Sequence, residues 1–292
     1  MVETIAELKS VSMSYGKLTA LDAVSLSLAA GEAVCVLGPN GAGKTTALKL
    51  LTGLKRAQRG KALLLGRNPR TPQARRVIGV TPQDAAFPHG LKVRELLAFA
   101  RAHYPEPADP VAIIEAFDLG ENLDRMAIQL SGGQQRKLAV ALAFCGAPRA
   151  VFLDEPTTGV DVQSRQRMWA YIRKYKQAGG AIFLTTHYLE EAEFIADRIV
   201  LINQGRIIRS GRVGEIRDAV NVRVVRFDSP AAPALRAARH TGSEGERHSY
   251  LSADADDSVR ALVSSGIDFS RLEVLPASLE RAVGELLGSE AS

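Results

Sequence analysis

A glycine-rich run at residues 38–46 constrains the fold more strongly than any other feature of this sequence. The run fits the pattern G-x-x-x-x-G-K-S/T and follows the apolar residues Ala33–Leu37, which are typical of a strand buried on both faces. Helical spacing resumes at Thr45. Because glycines let backbone N–H groups surround phosphate oxygens at a helix start, the run predicts a nucleotide-phosphate site in an α/β fold.

The side chains of this run suit a nucleoside triphosphate. Lys44 would place a positive charge against the outer phosphates, and the Thr45 hydroxyl would bind Mg²⁺. An ordinary glycine-rich turn is the alternative, but the position between a buried strand and a helix favours the phosphate site. The residues predicted to contact the nucleotide here are Gly38, Pro39, Asn40, Gly41, Ala42, Gly43, Lys44, Thr45 and Thr46.

A second apolar run, at residues 150–153, ends in the acidic pair Asp154 and Glu155. Open α/β sheets bind their ligands at the carboxyl ends of the strands. We therefore expect Asp154 to reach Mg²⁺ through water and Glu155 to orient or deprotonate an attacking water. An acidic pair after a strand can also simply begin a helix, and it is the glycine-rich run that favours the catalytic interpretation.

The remaining pattern predicts the architecture around these two elements. Period-two alternation up to about residue 66 predicts short strands of an N-terminal antiparallel β-subdomain. Further buried-strand patterns predict a parallel core sheet, and they lie at 77–80, 150–153 and 181–184. Helical patterns between the first two of these runs predict an inserted helical subdomain at about 84–148, and they lie at about 92–104, 110–118 and 132–146.

The composition changes after about residue 220, which predicts a small second domain. We assign residues 1–219 to the nucleotide-binding domain and 220–292 to a small α+β accessory domain. Three weak strands, each followed by a helix, are expected in the second domain, whereas 241–246 has the composition of a loop.

Composition and charge exclude some classes of protein. Hydrophobic residues make up 46% of the chain and charged residues 24%, which excludes global disorder. The net charge of +5 is mild, so it allows a nucleic-acid or membrane partner without indicating one. Cys35 and Cys145 both lie in apolar stretches and are expected to be buried free thiols. No apolar stretch approaches the ~20 residues of a membrane span, and no signal peptide is evident, so a cytosolic protein is expected.

The segment around Ser131 makes the functional prediction more specific. Ser131 would cap a helix, and Gly132 and Gly133 would expose backbone N–H groups to a phosphate. Together with Gln134, this segment resembles the signature motif of ABC-transporter ATPases, and the resemblance extends over about residues 4–218. Four other positions match the same family in the expected order: Tyr15 (adenine stacking), Gln83 (Q-loop), Asp161 (D-loop) and His187 (switch histidine).

The resemblance implies a site shared between two chains. In these ATPases two nucleotide domains pack head to tail, so the Lys44 turn of one chain and the Ser131 loop of the other would enclose each ATP. The family implies that Glu155, His187 and Gln83 are catalytic, with Gln83 also reaching Mg²⁺. Taken singly, Tyr15 could be a core residue, Gln83 a satisfied polar group and His187 a structural histidine.

Three implications concern the partners. The family implies a second ATP-binding chain, identical or related, and a polytopic membrane permease, with the chain on the inner face of the cell membrane and no direct nucleic acid. Ser131 of the signature loop follows Thr45 of the turn by only 86 positions, which leaves no room for the long coiled coil of chromosome-maintenance relatives. A soluble ATPase that regulates a protein or nucleic-acid complex is the alternative.

The direction of transport and the cargo are less well specified. Residues 81–104 and the helix that includes Ser278, Leu279 and Glu280 resemble bacterial drug-resistance-type exporter ATPases. Val283, however, stands where that family usually has phenylalanine. Export is therefore favoured over import, and the cargo has no signature in this chain because the permease would bind it.

Overall fold

The computed structural model describes residues 2–83, 85–220 and 222–288. In that part the strands are β1 (Thr4–Tyr15), β2 (Leu18–Ala29), β3 (Ala33–Leu37), β4 (Arg59–Leu64), β5 (Ile78–Thr81), β6 (Ala150–Asp154), β7 (Ala181–Thr186), β8 (Arg198–Asn203), β9 (Arg206–Gly211), β10 (Arg223–Asp228), β11 (Ala238–Glu244), β12 (Arg247–Ser252) and β13 (Ser270–Pro276). The helices are α1 (Lys44–Leu51), α2 (Pro72–Arg75), α3 (Val93–Ala102), α4 (Pro110–Ala116), α5 (Gly132–Phe144), α6 (Val162–Gln177), α7 (Leu189–Ile195), α8 (Val213–Asp218), α9 (Ala255–Ser264) and α10 (Leu279–Gly288). Short 3₁₀ turns occupy Gly120–Asn122 and Ala127–Gln129.

The core of the first unit is a sheet with strand order β5-β6-β7-β3-β8-β9, in which the first five strands run parallel. Strands β3, β6 and β7 are buried along their whole length, which explains their continuous apolar sequences. β3 pairs in parallel with both β7 and β8, and β6 pairs in parallel with β5 and β7. The carboxyl ends of β3, β6 and β7 therefore meet at one edge of the sheet, and the predicted α/β fold class is confirmed.

A three-stranded antiparallel sheet of order β2-β1-β4 forms the N-terminal β-subdomain. Strands β1 and β2 are twelve residues long each, so they are longer than the short strands expected from the sequence. Register shifts between Leu8 and Val11 interrupt the pairing and break up the period-two pattern. The apolar sides of this sheet, the core sheet and α1 enclose one hydrophobic cluster.

The predicted helical insertion lies between β5 and β6, and it contains α3, α4 and α5. Helix α5 packs closely on β5 because Gly79 has no side chain. A Cβ atom at this position would lie 1.8 Å from the carbonyl oxygen of Ala143. Asp84, with which the predicted range of 84–148 begins, is outside the described residues. Among the described residues, no helix is both long and apolar enough to cross a membrane.

The second compact unit comprises Gly211–Ser292, and the first comprises Met1–Ser210, so the division falls before the boundary predicted after residue 219. The second unit contains an antiparallel sheet of order β11-β12-β10-β13 and a small core formed by Val225, Phe227, Leu235, Tyr250 and Leu262. The last residues of the predicted domain, 289–292, are outside the described part.

The sequence interpretation of this unit was wrong in one place. Strand β11, not a helix, follows β10, and it occupies part of the 241–246 segment expected to be a loop. β11 is an edge strand whose residues are almost all exposed, so its sequence lacks the apolar alternation that marks a half-buried strand. Both cysteines of the chain, in contrast, are buried and free as expected.

Candidate functional site

The turn after β3 has the local geometry of a phosphate-binding loop. Gly43 immediately precedes α1 and has φ = 110°, a conformation that favours glycine. A Cβ atom on Gly43 would also lie 2.3 Å from the carbonyl oxygen of Ala20. The backbone therefore enters α1 along a path that only glycine permits, and the free N–H groups of the first helical turn lie at this entrance.

Lys44 is the first residue of α1, and only 5% of its surface is exposed. Its ammonium group donates to the carbonyl oxygens of Gly38 at 2.7 Å and Pro39 at 3.1 Å. Burial lowers the pKa of Lys44, and the nearby carboxylates of Glu155 and Asp154 oppose that shift. A cation is thus held against the turn by acceptors that phosphate oxygens can replace.

Asp154, at the end of β6, is 1% exposed. Its Oδ1 atom accepts hydrogen bonds from the hydroxyl of Thr45 at 3.1 Å and from the hydroxyl of Thr185 at the end of β7. Its Oδ2 atom has no hydrogen-bond partner among the described residues. Burying a carboxylate oxygen without a partner costs free energy unless the oxygen binds a ligand. The Asp154 carboxylate and the Thr45 hydroxyl therefore fit a magnesium ion that also binds phosphate and water.

Glu155 follows directly and adopts a left-handed backbone conformation with φ = 49°. Its backbone N–H donates to the carbonyl oxygen of Thr185 at 2.9 Å. Its Oε2 atom accepts a hydrogen bond from the Thr158 hydroxyl at 3.3 Å and lies 3.5 Å from Nδ1 of His187. The predicted catalytic carboxylate and the predicted switch histidine therefore lie beside each other, because neighbouring strands β6 and β7 deliver them.

A cleft of about 260 Å³ lies over the turn. Tyr15, with 40% of its surface exposed, lies at this cleft, and Lys55 places its ammonium group 5.7 Å from the centre of the Tyr15 ring. Predicted residues that line the cleft are Tyr15, Asn40, Gly41, Ala42, Gly43, Lys44, Thr45, Thr46, Gln83 and Glu155. One chain thus brings together a ring that can stack, the phosphate turn and the predicted catalytic carboxylate.

The signature segment lines a different cleft of about 640 Å³, which Gly132 and Gly133 share with Gln83 and Glu155. Ser131 caps α5 reciprocally with Gln134: the Gln134 N–H donates to the Ser131 hydroxyl at 3.3 Å, and the Ser131 N–H donates to the Gln134 side chain at 3.0 Å. A Cβ atom on Gly132 would meet no atom within 4 Å. The space beside Gly132 is therefore not filled by described residues of its own chain.

Asp161 has a local structural role in this chain. It caps α6 by accepting a hydrogen bond from the N–H of Ser164 at 2.9 Å. The hydrogen bonds from Ser164 lower the pKa of Asp161. Asp161, Ser131 and Gln134 do not line the cleft over the phosphate turn within the described residues.

Comparison with known proteins identifies the family. The family model described as "ABC transporter" matches residues 21–158. The daunorubicin/doxorubicin resistance ATP-binding protein DrrA of Streptomyces peucetius is 38% identical over an alignment that covers 73% of this chain and 67% of the relative. The chain belongs to the ABC transporter family of ATP-binding proteins. It is therefore an ABC ATPase.

Further comparisons extend this result along the chain. The Nod factor export ATP-binding protein I of Paraburkholderia xenovorans is 35% identical to this ABC ATPase and is aligned over 99% of both chains. A solved ATP-binding subunit of an ABC transporter is 27% identical, with a TM-score of 0.67, and covers 74% of this chain and 92% of its own. A dimeric structure of a bacterial ABC transporter cassette is 24% identical and has a TM-score of 0.62. The match covers 71% of this chain and 98% of the cassette, so the two share the fold.

Several residues of this ABC ATPase site were missed from the sequence. Leu18 and Ala20 also line the cleft over the phosphate turn, Thr185 donates to Asp154, and Arg136 lines the second cleft. Thr185 could have been found as a hydroxyl at the carboxyl end of a buried strand beside the acidic strand. Leu18 has no comparable signal, since its position depends on how the β1–β2 hairpin lies against the turn.

Proposed function

We propose that this chain is the ATP-hydrolysing subunit that drives export through a separate membrane permease, from the cytoplasmic face of the membrane. The observation that carries the proposal is the convergence of Lys44, Asp154 and Glu155 at the carboxyl ends of β3 and β6. A strong cation, a metal-binding carboxylate and a candidate base are the three groups that phosphoryl transfer to water requires.

Each group has a separate task. Lys44 and the backbone N–H groups of the turn bind the outer phosphates, and Tyr15 stacks against the adenine. Magnesium, held by Thr45 and Asp154 with Gln83 close by, would neutralise charge that develops on the transferred phosphate. Glu155 accepts a proton from the attacking water.

His187 supports the same step. Its imidazole lies 3.5 Å from the Glu155 carboxylate, and its side chain is 42% exposed, so it is accessible to a γ-phosphate. Contact with both groups would help to fix the base and the phosphate relative to each other.

A second chain completes the site. The helix start formed by Ser131, Gly132, Gly133 and Gln134 has open space beside Gly132, and these four residues do not line the cleft over the phosphate turn within the described residues. Two chains packed head to tail would bring the Ser131 loop and Asp161 of each to the nucleotide of the other. ATP then stabilises the closed dimer, and its hydrolysis removes those contacts, which converts chemistry into motion.

The direction of transport rests on the relatives. The two named above are described as a daunorubicin/doxorubicin resistance protein and a Nod factor export protein. The alignment over 99% of the second relative includes the C-terminal unit, so we assign 220–292 as an accessory domain of an exporter subunit beside the ATP-binding domain 1–219 and its helical subdomain 84–148. A soluble ATPase that regulates another complex remains the competing function.

Affinity purification of the tagged Glu155→Gln chain from detergent-solubilised membranes tests the proposal, because this variant is expected to hold ATP and its partners. We expect a polytopic membrane protein to co-purify in stoichiometric amount. When that protein is reconstituted in vesicles with the wild-type chain, ATP hydrolysis should rise. Recovery of the chain only in soluble assemblies, with membranes free of it, would support the competing function instead.

A further inference from the structure

Arg136 lies on α5, in the second turn after the Ser131 cap, and 8% of its surface is exposed. Its guanidinium donates to main-chain carbonyl oxygens of two segments that are far apart in sequence. Nη1 donates to Pro82 at 2.7 Å and to Gln83 at 3.0 Å. Nε and Nη2 donate to Glu155 at 3.1 Å and 2.9 Å, and Nη2 also donates to Asp154.

These carbonyl groups belong to the residues that the hydrolysis reaction uses. Gln83 follows β5, Asp154 ends β6 and Glu155 comes next, so a single side chain bridges the ends of two neighbouring strands. The carbonyl groups are turned toward α5, and this direction fixes the peptide planes from which the Gln83 and Glu155 side chains extend.

The Glu155 backbone needs such support. A glutamate at φ = 49° is in a sparsely populated conformation that persists only when its surroundings fix it. Thr185 holds the N–H side of this residue, with its carbonyl oxygen 2.9 Å away, and Arg136 holds the carbonyl side. The strained residue is therefore fixed from both sides.

The geometry requires arginine. A guanidinium has five N–H donors in a rigid planar fork, and Arg136 directs them to both segments at once. A lysine at the same position has one ammonium group on a flexible stem, so it cannot serve both segments with comparable geometry. Replacement by lysine keeps the charge and removes the bridge.

We propose that Arg136 is a positioning residue that couples the Ser131 loop, at the start of α5, to Gln83 and Glu155 of the same chain. The coupling rests on the proposed function, because in a head-to-tail dimer the Ser131 loop belongs to one ATP site and Glu155 belongs to the other. Helix α5 and Arg136 form a rigid connection between them. Closure of one site is thereby transmitted to the base of the second site.

Arg136→Lys and Arg136→Gln in the full-length chain test the role in catalysis. We expect kcat to fall at least ~10-fold while the Kd for Mg-ATP changes less than ~3-fold, since the bridge acts on the base and not on the phosphate turn. Arg101→Lys is the matched control, because Arg101 also donates to a main-chain carbonyl, that of Ala108 at 3.2 Å, but outside the site. A wild-type kcat in Arg136→Lys would overturn the proposal.

Hydrogen exchange separates positioning from general destabilisation. In the Arg136 variants we expect faster amide exchange confined to peptides covering 78–83 and 150–158, with rates elsewhere as in wild type. Faster exchange throughout the chain would instead mean a purely structural role for Arg136. This measurement needs no ATP hydrolysis, so it tests the bridge even if the proposed function is wrong.

The coupling itself is tested by adding Mg-ATP. In wild type, closure should protect both 130–135 and 150–158 from exchange. In Arg136→Lys we expect protection of 130–135 to remain and protection of 150–158 to be lost. Equal protection of both segments in the variant would refute coupling through Arg136. Absence of protection in the wild type would refute the dimer model and, with it, any transmission between two sites.

Discussion

The two glycine-rich helix starts of this chain, at 38–46 and 131–134, share one chemistry and differ in how it is completed. Both present backbone N–H groups at the beginning of a helix. In the first, Lys44 is 5% exposed and the Thr45 hydroxyl bonds to a buried carboxylate. In the second, Ser131 and Gly132 are exposed, and a Cβ atom on Gly132 would meet nothing within 4 Å.

The difference teaches that an anion site has two parts, the backbone donors and the groups that neutralise charge. The first helix start has both within its own chain. The second has donors and a capping serine, and its cleft is also lined by Gln83, Arg136 and Glu155. None of the described residues that line this cleft repeats the Lys44 ammonium or the pair of Thr45 and Asp154, which favours use of this helix start by a second copy.

Glu155→Gln gives the largest expected effect on hydrolysis. It leaves the phosphate donors of both helix starts in place, so it tests the chemical step apart from ATP binding. A carboxamide cannot accept a proton from the attacking water, so kcat should fall at least ~100-fold while Mg-ATP binding persists. Phosphate release measures the rate, and size-exclusion chromatography with Mg-ATP should show a stable dimer. Glu190→Gln, an exposed carboxylate on α7, is the control. Near-normal turnover in Glu155→Gln would remove this residue from the reaction.

Lys44→Ala tests the first helix start directly. Loss of a buried cation that bonds to phosphate should weaken Mg-ATP binding by about 10- to 100-fold, which calorimetry can measure. Lys49→Ala, further along the same helix, should bind ATP as wild type does, because Lys49 does not line the cleft. Unchanged affinity in Lys44→Ala would mean that the backbone donors alone hold the phosphates.

Mixing Lys44→Ala chains with Ser131→Arg chains tests whether the two helix starts serve one site. At an ATP concentration that does not saturate Lys44→Ala, each variant alone should hydrolyse ATP far more slowly than wild type, since every dimer lacks one half of both sites. A mixed dimer has one intact site, so equal mixing should restore up to about a quarter of wild-type hydrolysis if dimers form at random. Activity no higher than the average of the separate variants would argue against shared sites.

The sequence pattern predicts which side chains come together when they follow a buried strand. Lys44 follows the turn after β3, Asp154 and Glu155 come at the end of β6, and parallel pairing of both strands with β7 brings these ends together. The resemblance added Tyr15, Gln83 and His187, whose isolated positions have no local pattern; Tyr15 and Gln83 line the cleft, and His187 lies beside Glu155.

Two features could not be predicted from the sequence: the main-chain contacts of Arg136 and the exposed strand β11. Arg136 lies in a helical pattern like any charged residue, and its partners are carbonyl oxygens, which every residue has and no pattern distinguishes. Strand β11 is stabilised by pairing with β12 and not by burial, so its sequence resembles a loop. The charge of Arg136 can be read from the sequence, whereas the carbonyl groups that it contacts are brought to it only when the chain folds.

Gly132→Ala and Gly133→Ala give the smallest expected effects and test the second helix start at neighbouring positions. A Cβ atom on Gly133 would lie 2.5 Å from the carbonyl oxygen of Gly159, so alanine there forces the loop to shift. We expect Gly133→Ala to lower the free energy of unfolding by about 1–3 kcal/mol, as overpacking does. Gly132→Ala should leave it unchanged or slightly raised, because a helical glycine is replaced in open space. Urea unfolding measures both.

The two alanine variants sharpen the comparison when hydrolysis is measured beside stability. If the open face at Gly132 receives a partner's nucleotide, its added methyl group should lower ATP hydrolysis although the chain remains as stable as wild type. Loss of activity in Gly133→Ala alone would reflect the displaced loop and would not require a partner. Full activity in Gly132→Ala would mean that no phosphate approaches this helix start, and the site would then belong to one chain.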